Sequence, residues 1–291
     1  MTDAVIIEVA VNGATTKARN PHVPIGEDEL VADAHACFDA GAAVVHHHID
    51  RTGLSGPDAA EVHLGVWRRV LPERPEALWY PTINIGPSAH WYDHITPLAE
   101  SGLLRMSLSD PGSVNLGGRT DGVPSGGFVY ANSFDSIAHQ FALCRDHSLG
   151  PSIAIYEPGF LRVVLAYLEA GKLPAGCFVK LYLGADRGLA GAPFGLPPTP
   201  RALDAYLELL DSTGLAWAVS AVGADLTSLD VCRAALEAGG HLHVGLEFFG
   251  GDRRPTNVEL VEAAVKAAGD AGRPVAGCDE AAAILGLPRA R

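Results

Sequence analysis

The sequence alternates short apolar segments, rich in β-branched residues, with longer segments of helical periodicity, and the alternation repeats eight times. The first apolar segment is Ala4–Val11, followed by a helical pattern over Glu27–Ala40, and the last is His241–Glu247, followed by a helical pattern over Asn257–Ala268. Strands that alternate with helices form parallel sheets, and a count of eight favours a closed α/β fold, the (β/α)8 TIM barrel, over an open doubly wound sheet. Because no linker or repeat divides the chain, we expect a single domain over residues 1–291.

The remaining elements follow the same rhythm. Further strands are predicted around the histidines at 44–51 and at Ala77–Ile85, Leu103–Leu108, Ser152–Tyr156, Gly176–Leu183 and Leu215–Ala221. Further helices are predicted at Asp58–Leu71, Phe134–His147, Phe160–Ala170, Thr199–Leu210 and Ser228–Ala238. Two Gly- and Pro-rich stretches, Asp110–Gly127 and Gly184–Pro200, are predicted as loops, the second as a surface loop rather than a mobile lid.

Composition narrows the class of protein. The formal net charge of -13 argues against a nucleic-acid-binding surface, which needs clustered Lys and Arg. The five cysteines show no CxxC spacing and indicate reduced thiols in the cytoplasm. Because no apolar run reaches about 18 residues, no membrane span is expected.

A strand that carries His46, His47 and His48 presents His46 and His48 on one face, roughly 6–7 Å apart. Such a pair can bind one metal ion, and it can equally be a hydrogen-bonded polar pair in the core. Glu247 closes the eighth predicted strand, which in a barrel lies two strands from the histidines. Two His and one carboxylate suit Zn, Mn or Fe(II), and Zn²⁺ is the default with neutral imidazoles.

The side chains expected to face the barrel interior are mostly polar. They include Glu8 in the first strand, Asn84 after the third, Ser109 after the fourth and His243 in the eighth. Since barrel interiors are otherwise filled by Val, Ile and Leu, this interior is predicted to serve chemistry. Asn84 and Ser109 could donate hydrogen bonds to a developing oxyanion. Glu8 could act as a base or belong to a buried ion-pair network.

Short motifs spread over nearly the whole chain resemble those of a known family. They are Asn12-Gly13-Ala14, Gly41 to His48, Gly112 to Gly117, Gly239-Gly240-His241, Val244 to Glu247 and Thr256 to Val261. In their order and spacing the chain resembles the beta-keto acid cleavage enzyme family, whose members are (β/α)8 zinc proteins. The resemblance implies that His46, His48 and Glu247 bind one zinc ion, in agreement with the strand parity.

The resemblance also implies an activity. Members of the family transfer the acyl group of a β-keto acid in a retro-Claisen reaction with acetyl-CoA, which gives acetoacetate and a new acyl-CoA. The metal acts as a Lewis acid that stabilises the enolate formed when a C2 proton leaves. The expected partners are therefore a small-molecule β-keto acid, acetyl-CoA as co-substrate and further copies of the chain, with a homotetramer favoured.

Several positions depart from the family pattern. Phe248 stands where members often carry an Asp for proton transfer, His243 replaces an Arg, and Thr15 replaces a Glu. Glu8 and His243 are then the candidates for the base, with Asp50 at the rim of the barrel as a third. We expect a longer or more polar β-keto acid than the amino-hexanoate of related enzymes. Two alternatives stay open: a CoA-independent metal-dependent lyase or hydrolase acting on a keto acid, and a catalytically silent binding protein that retains the metal.

Overall fold

A computed structural model describes residues 3–51, 53–54, 56–84, 90–186, 188 and 191–288 of the chain. Within these ranges the strands are β1 (Ile7–Ala10), β2 (Val44–His47), β3 (Leu78–Pro81), β4 (Met106–Ser109), β5 (Val114–Thr120), β6 (Val123–Tyr130), β7 (Gly150–Ile155), β8 (Phe178–Gly184), β9 (Ala216–Val222) and β10 (His241–Val244). The helices are α1 (Glu27–Ala40), α2 (Gly56–Val70), α3 (Ile95–Glu100), α4 (Phe134–Asp146), α5 (Pro158–Glu169), α6 (Pro200–Leu210), α7 (Asp230–Glu237), α8 (Asn257–Asp270) and α9 (Cys278–Leu285).

Eight of these strands form one sheet in the order β3-β2-β1-β10-β9-β8-β7-β4, and neighbouring strands in it run parallel. The two edge strands, β3 and β4, also lie against each other, so the sheet curls into a nearly closed barrel with the helices around it. The predicted TIM barrel is therefore confirmed, and the open doubly wound alternative is excluded.

The apolar patterns of the sequence account for this packing. Barrel strands are buried on both faces, as expected for strands covered by helices outside and by side chains inside. Helix α1 buries Leu30, Ala34, Cys37 and Phe38 and ends at Gly41, whose left-handed φ of 114° forms the cap. The buried apolar residues form one continuous core. None of the described helices is both long and apolar enough to cross a membrane.

The Gly-rich segment after β4 is not a loop, contrary to the prediction. It contains an antiparallel hairpin, β5 and β6, inserted between β4 and α4. The hairpin lacks the alternating side-chain pattern of a strand because glycines are needed where its two backbones approach each other. A Cβ on Gly127, whose φ is +80°, would come within 1.9 Å of the Leu116 carbonyl oxygen. The last barrel strand is also shorter than predicted. Gly245, with φ +125°, ends β10, so Glu247 follows the strand instead of belonging to it.

Strand β4 faces the other way from the prediction. Leu108 and Asp110 line the barrel interior, whereas Ser109 points to the helix layer, where its Oγ lies 4.0 Å from Cys144 Sγ in α4. The prediction assumed that polar residues face inward. In β4 the apolar residues fill the interior, and the small hydroxyl side chains let α4 pack closely. The last residue of the third predicted strand (Ala77–Ile85), Ile85, lies outside the described residues.

Candidate metal centre and active-site cavity

The carboxyl ends of the barrel strands surround a cavity of about 530 Å³. This is the face of a TIM barrel on which active sites are built. The described residues that line the cavity come from most of the barrel strands and from the hairpin: Gly13, Ala14, His46, His48, Ile49, Tyr80, Thr82, Ile83, Trp91, Leu108, Asp110, Leu116, Phe128, Tyr130, Ser152, Ala154, Tyr156, Lys180, Tyr182, Glu247 and Phe248.

His46, His48 and Glu247 meet on one wall of this cavity, with one potential ligand atom from each lying within 4.8 Å of the others. His46 Nε2 lies 3.4 Å from Glu247 Oε2, and His48 Nε2 lies 3.1 Å from Glu247 Oε1. Two imidazole nitrogens and a carboxylate around an accessible space match the donor set of catalytic metal sites that keep an open position.

The surroundings of His46 indicate a neutral imidazole that offers Nε2 as a ligand. Its Nδ1 lies 3.2 Å from the Tyr80 carbonyl oxygen, which can only accept, so Nδ1 carries the proton. Burial, with a smaller effect from His48, holds the pKa of His46 well below its usual range. The contact with Glu247 is therefore not an ion pair but two acceptor atoms side by side. Glu247 Oε2 is buried without a hydrogen-bond partner among the described residues, as fits a cation ligand.

Asn12 fixes the position of His48. Its Oδ1 accepts hydrogen bonds from the backbone N–H of His48 at 2.8 Å and of Gly13 at 2.9 Å. Its Nδ2 donates to the carbonyl oxygens of His48 at 2.9 Å and Pro24 at 3.3 Å. Since the Asn12 side-chain amide binds both the N–H and the carbonyl oxygen of His48, it fixes the backbone of the segment after β2, which lies outside the sheet.

The segment that carries Glu247 is held at three backbone groups. Thr15 Oγ1 donates to the Leu246 carbonyl oxygen at 2.8 Å, and Asn257 Oδ1 accepts from the Leu246 N–H at 2.9 Å. The Glu247 N–H donates to the Ala10 carbonyl oxygen at 3.1 Å. Thr15, which departs from the family pattern, thus supports the ligand segment instead of presenting a carboxylate to the cavity.

A buried polar network lies beneath the metal site. Glu8 Oε1 accepts hydrogen bonds from the Tyr80 hydroxyl and from Lys180 Nζ, the latter at 3.1 Å, and Lys180 also donates to the Tyr80 oxygen. His243 Nε2 lies 3.3 Å from the same Glu8 oxygen. Burial raises the pKa of Glu8, and Lys180 and Tyr80 oppose that shift. Lys180 and Tyr80 reach the cavity, whereas neither Glu8 nor His243 is among the described residues that line it.

The predicted site residues therefore separate into groups. His46, His48 and Glu247 come together, and Glu8 and His243 join in the network below them. Asn84 lies apart: its Nδ2 donates to the His90 carbonyl oxygen at 2.9 Å and to Asp93 Oδ1 at 2.5 Å. Ser109 faces α4, as described above.

Sequence reasoning missed Asp110 and the cavity residues of the hairpin. Asp110 lies two residues after Leu108 and therefore faces the barrel interior with it. Assigning the apolar residues of β4 to the interior would have predicted this position. Phe248, noted only as a departure, packs on Tyr182 with ring centroids 4.9 Å apart and forms part of the cavity wall.

The fold and site together define a parallel barrel with a His-His-Glu triad at its mouth that could hold a metal ion. A sequence profile described as "BKACE: beta-keto acid cleavage enzyme" matches residues 4–287. The chain belongs to this beta-keto acid cleavage enzyme family, whose members are enzymes.

Similar proteins agree with this assignment. The chain is 28% identical to a 3-oxoadipate:acetyl-CoA acetyltransferase of Cupriavidus necator, over 99% of this chain and 96% of that protein. It is 25% identical to a 3-keto-5-aminohexanoate cleavage enzyme of Acetoanaerobium sticklandii, over 99% of this chain and 100% of that protein. Among solved structures, apo ObcA superposes with a TM-score of 0.70 at 16% identity, covering 93% of this chain and 66% of ObcA. That last likeness concerns the fold alone.

Proposed function

We propose that the protein is a zinc-dependent beta-keto acid cleavage enzyme. It would convert a β-keto acid and acetyl-CoA into acetoacetate and a new acyl-CoA by a retro-Claisen reaction. The observation that supports this most is the triad of His46, His48 and Glu247 on the wall of a cavity, in a member of this family. The relatives act on different keto acids, so the tail of the substrate has to be inferred from this chain's own cavity.

The three ligands would hold the ion so that it faces the cavity. A bound Zn²⁺ would supply Lewis-acid stabilisation of the enolate that forms when the substrate loses a C2 proton. Two imidazoles and one carboxylate would leave a net positive charge on a bound Zn²⁺, which would favour binding of the substrate carboxylate.

Lys180 brings a second positive charge to the same region. Its Nζ lies 4.4 Å from the centre of the Tyr80 ring, and that ring stacks on His46 with centroids 4.4 Å apart. A fixed cation close to the reacting carbons stabilises negative charge that develops in the transition state. Glu8 and His243 act below the cavity floor, and we propose them as positioning residues for Lys180 rather than as the base.

Asn84 and Ser109 have no direct part in this proposal. The Asn84 amide is used within the segment that follows β3, and Ser109 packs against α4. The developing oxyanion would instead meet the metal centre and Lys180.

The test measures metal and turnover on the same preparation. We expect about one zinc per chain in protein purified without a polyhistidine tag, and acetyl-CoA-dependent formation of acetoacetate and a matching acyl-CoA from at least one β-keto acid. His48→Ala should lose both, and His139→Ala, at an exposed position on α4, should retain both.

Each alternative gives a different pattern. Cleavage without acetyl-CoA would replace our proposal with the CoA-independent lyase or hydrolase. Bound zinc with no turnover of any β-keto acid would favour the binding protein. Protein free of metal would contradict the role of the triad.

We also propose that the chain forms a cytoplasmic homo-oligomer, with a tetramer favoured. Large apolar side chains are exposed on the hairpin and at the start of α4, namely Val123, Phe128, Val129 and Phe134. Exposed apolar groups of this kind are typical of interfaces between subunits. All five cysteines are free thiols, as suits a reducing compartment. Light scattering at the monomer mass of 30.4 kDa across micromolar concentrations would contradict the oligomer.

A further inference from the structure

Asp110 places a buried carboxylate on the cavity wall across the barrel from Glu247. It follows β4, which stands four strands from β10 in either direction around the barrel, so β4 and the strand that leads to Glu247 face each other across the interior. The Asp110 side chain lines the cavity while the residue is only 8% exposed. Its Oδ2 accepts a hydrogen bond from the Tyr130 hydroxyl of the hairpin at 2.5 Å.

Asp110 forms no ion pair with a described residue, although the charge of Lys180 acts on it through space. Lys180 is the only basic side chain among the described residues of the cavity wall, apart from the imidazoles of the triad, and it is bonded to Glu8 and Tyr80. Burial raises the pKa of Asp110 to about 6, and the hydrogen bond from Tyr130 and the charge of Lys180 oppose the shift. Asp110 is therefore mostly ionised above neutral pH, and a buried carboxylate that forms no ion pair is costly to the fold.

Aromatic rings continue the wall from Asp110. The ring centroids of Trp91 and Tyr130 are 4.9 Å apart, those of Tyr130 and Tyr156 are 6.3 Å apart, and those of Tyr156 and Tyr182 are 5.1 Å apart. All four rings line the cavity. Aromatic faces attract organic cations through their quadrupoles, and they attract them more strongly where water is excluded.

We propose that Asp110 and this aromatic wall form a distal subsite for a positively charged tail, so that the substrate is a β-keto acid ending in an alkylammonium group. The inference rests on the proposed function, because the metal centre would hold the keto acid end while the tail crosses the cavity. A neutral tail would use the rings but leave Asp110 unpaired. An anionic tail would be repelled by Asp110 and would meet no free basic side chain among the described residues.

The test uses probes that cannot react. Trimethylammonio-butanoate and its tert-butyl isostere, in which carbon replaces nitrogen, have the same shape and differ only in the charge of the tail. Calorimetry on the metal-loaded protein should show at least about tenfold tighter binding of the cationic probe, the size of a desolvated cation–π contact. A primary ammonium probe of similar length shows whether the subsite prefers an alkylated or a hydrogen-bonding cation.

Two variants separate charge from shape. Asp110→Asn keeps the size of the side chain and an acceptor for Tyr130, so it should remove most of the preference for the cation without weakening the neutral isostere. Asp121→Asn removes a carboxylate from the exposed turn of the hairpin and should leave both affinities unchanged.

The outcomes for the subsite and for the reaction are independent. Equal or tighter binding of the tert-butyl probe by the wild type would overturn the subsite, even if neutral β-keto acids are cleaved with acetyl-CoA. A charge preference that Asp110→Asn does not reduce would also overturn it. A preference that depends on Asp110 supports the subsite even if no β-keto acid is cleaved, in which case the proposed reaction alone fails.

Discussion

Gly13 and Glu247 are packed so closely that a Cβ on Gly13 would lie 2.2 Å from Glu247 Cγ. Gly13 also has a φ of +55°, in the left-handed region that favours glycine. The Asn-Gly pair after β1 therefore serves both sides of the candidate metal site: Asn12 holds His48, and Gly13 leaves room for Glu247.

Gly13→Ala should lower metal affinity by at least about tenfold, because a ligand displaced by a fraction of its bond length loses more than about 1.4 kcal/mol. Metal content after dialysis and the metal Kd measure this. Gly102→Ala is the matched control, since Gly102 has a φ of +74° with open space around its Cβ position. Equal metal binding in the two variants would show that Gly13 does not support Glu247.

Asn12→Asp should weaken metal binding through His48. The carboxylate keeps the acceptor for the His48 N–H but loses the donor to the His48 and Pro24 carbonyls, which costs about 1–3 kcal/mol of stability. Asn20→Asp makes the same change at another buried amide, where Nδ2 donates to the Pro255 carbonyl oxygen. Urea unfolding should detect a loss in both variants, whereas the metal Kd should change only in Asn12→Asp.

Glu8 and Lys180 should behave as a coupled pair. Lys180→Met leaves the Glu8 carboxylate buried without its cation, and loss of one partner of such a pair costs about 3–5 kcal/mol. The double variant Glu8→Gln/Lys180→Met should recover much of this loss while turnover stays low, since the cation near the reacting carbons is still missing. Strict additivity of the two changes in unfolding free energy would contradict the coupling.

The sequence predicted the parts of the site that depend on strand alternation. His46 and His48 share a face of one strand, and Glu247 follows a strand two positions away in the barrel, so their convergence follows from topology. Ser109 was predicted on the wrong side because small polar residues also suit the contact between strand and helix. The hairpin was not predicted because the glycines that let its two backbones approach closely give no alternation of apolar and polar side chains.

Stability should decline in mild acid because buried histidines are held neutral. His241 Nδ1 accepts a hydrogen bond from the Ile6 N–H at 3.0 Å, and burial lowers its pKa to about 4. As pH falls below 6.5, His241 is protonated in the unfolded chain, whereas in the folded chain it stays neutral until about pH 4. The unfolding free energy therefore falls by up to about 1.4 kcal/mol per pH unit for each such group.

Urea unfolding at several pH values between 7 and 5 measures the slope. His241→Asn keeps an acceptor for Ile6 and removes the titrating group, so its slope should be shallower than that of the wild type. His139→Asn, at an exposed position, controls for the loss of an imidazole as such. A slope in His241→Asn as steep as in the wild type would place the acid sensitivity elsewhere.

The hairpin supplies the cavity with Leu116, Phe128 and Tyr130 from one continuous segment between β4 and α4. The proposed metal ligands come from β2 and from the segments that follow β2 and β10, and their positions depend on Asn12, Gly13, Thr15 and Asn257. Of the proposed tail subsite, Tyr130 thus belongs to the hairpin, whereas the three proposed metal ligands lie in other stretches of the chain. We therefore expect insertions or substitutions confined to the hairpin to alter which acid is accepted while the proposed metal ligands stay intact, and this would give such a lineage a short route to new substrates.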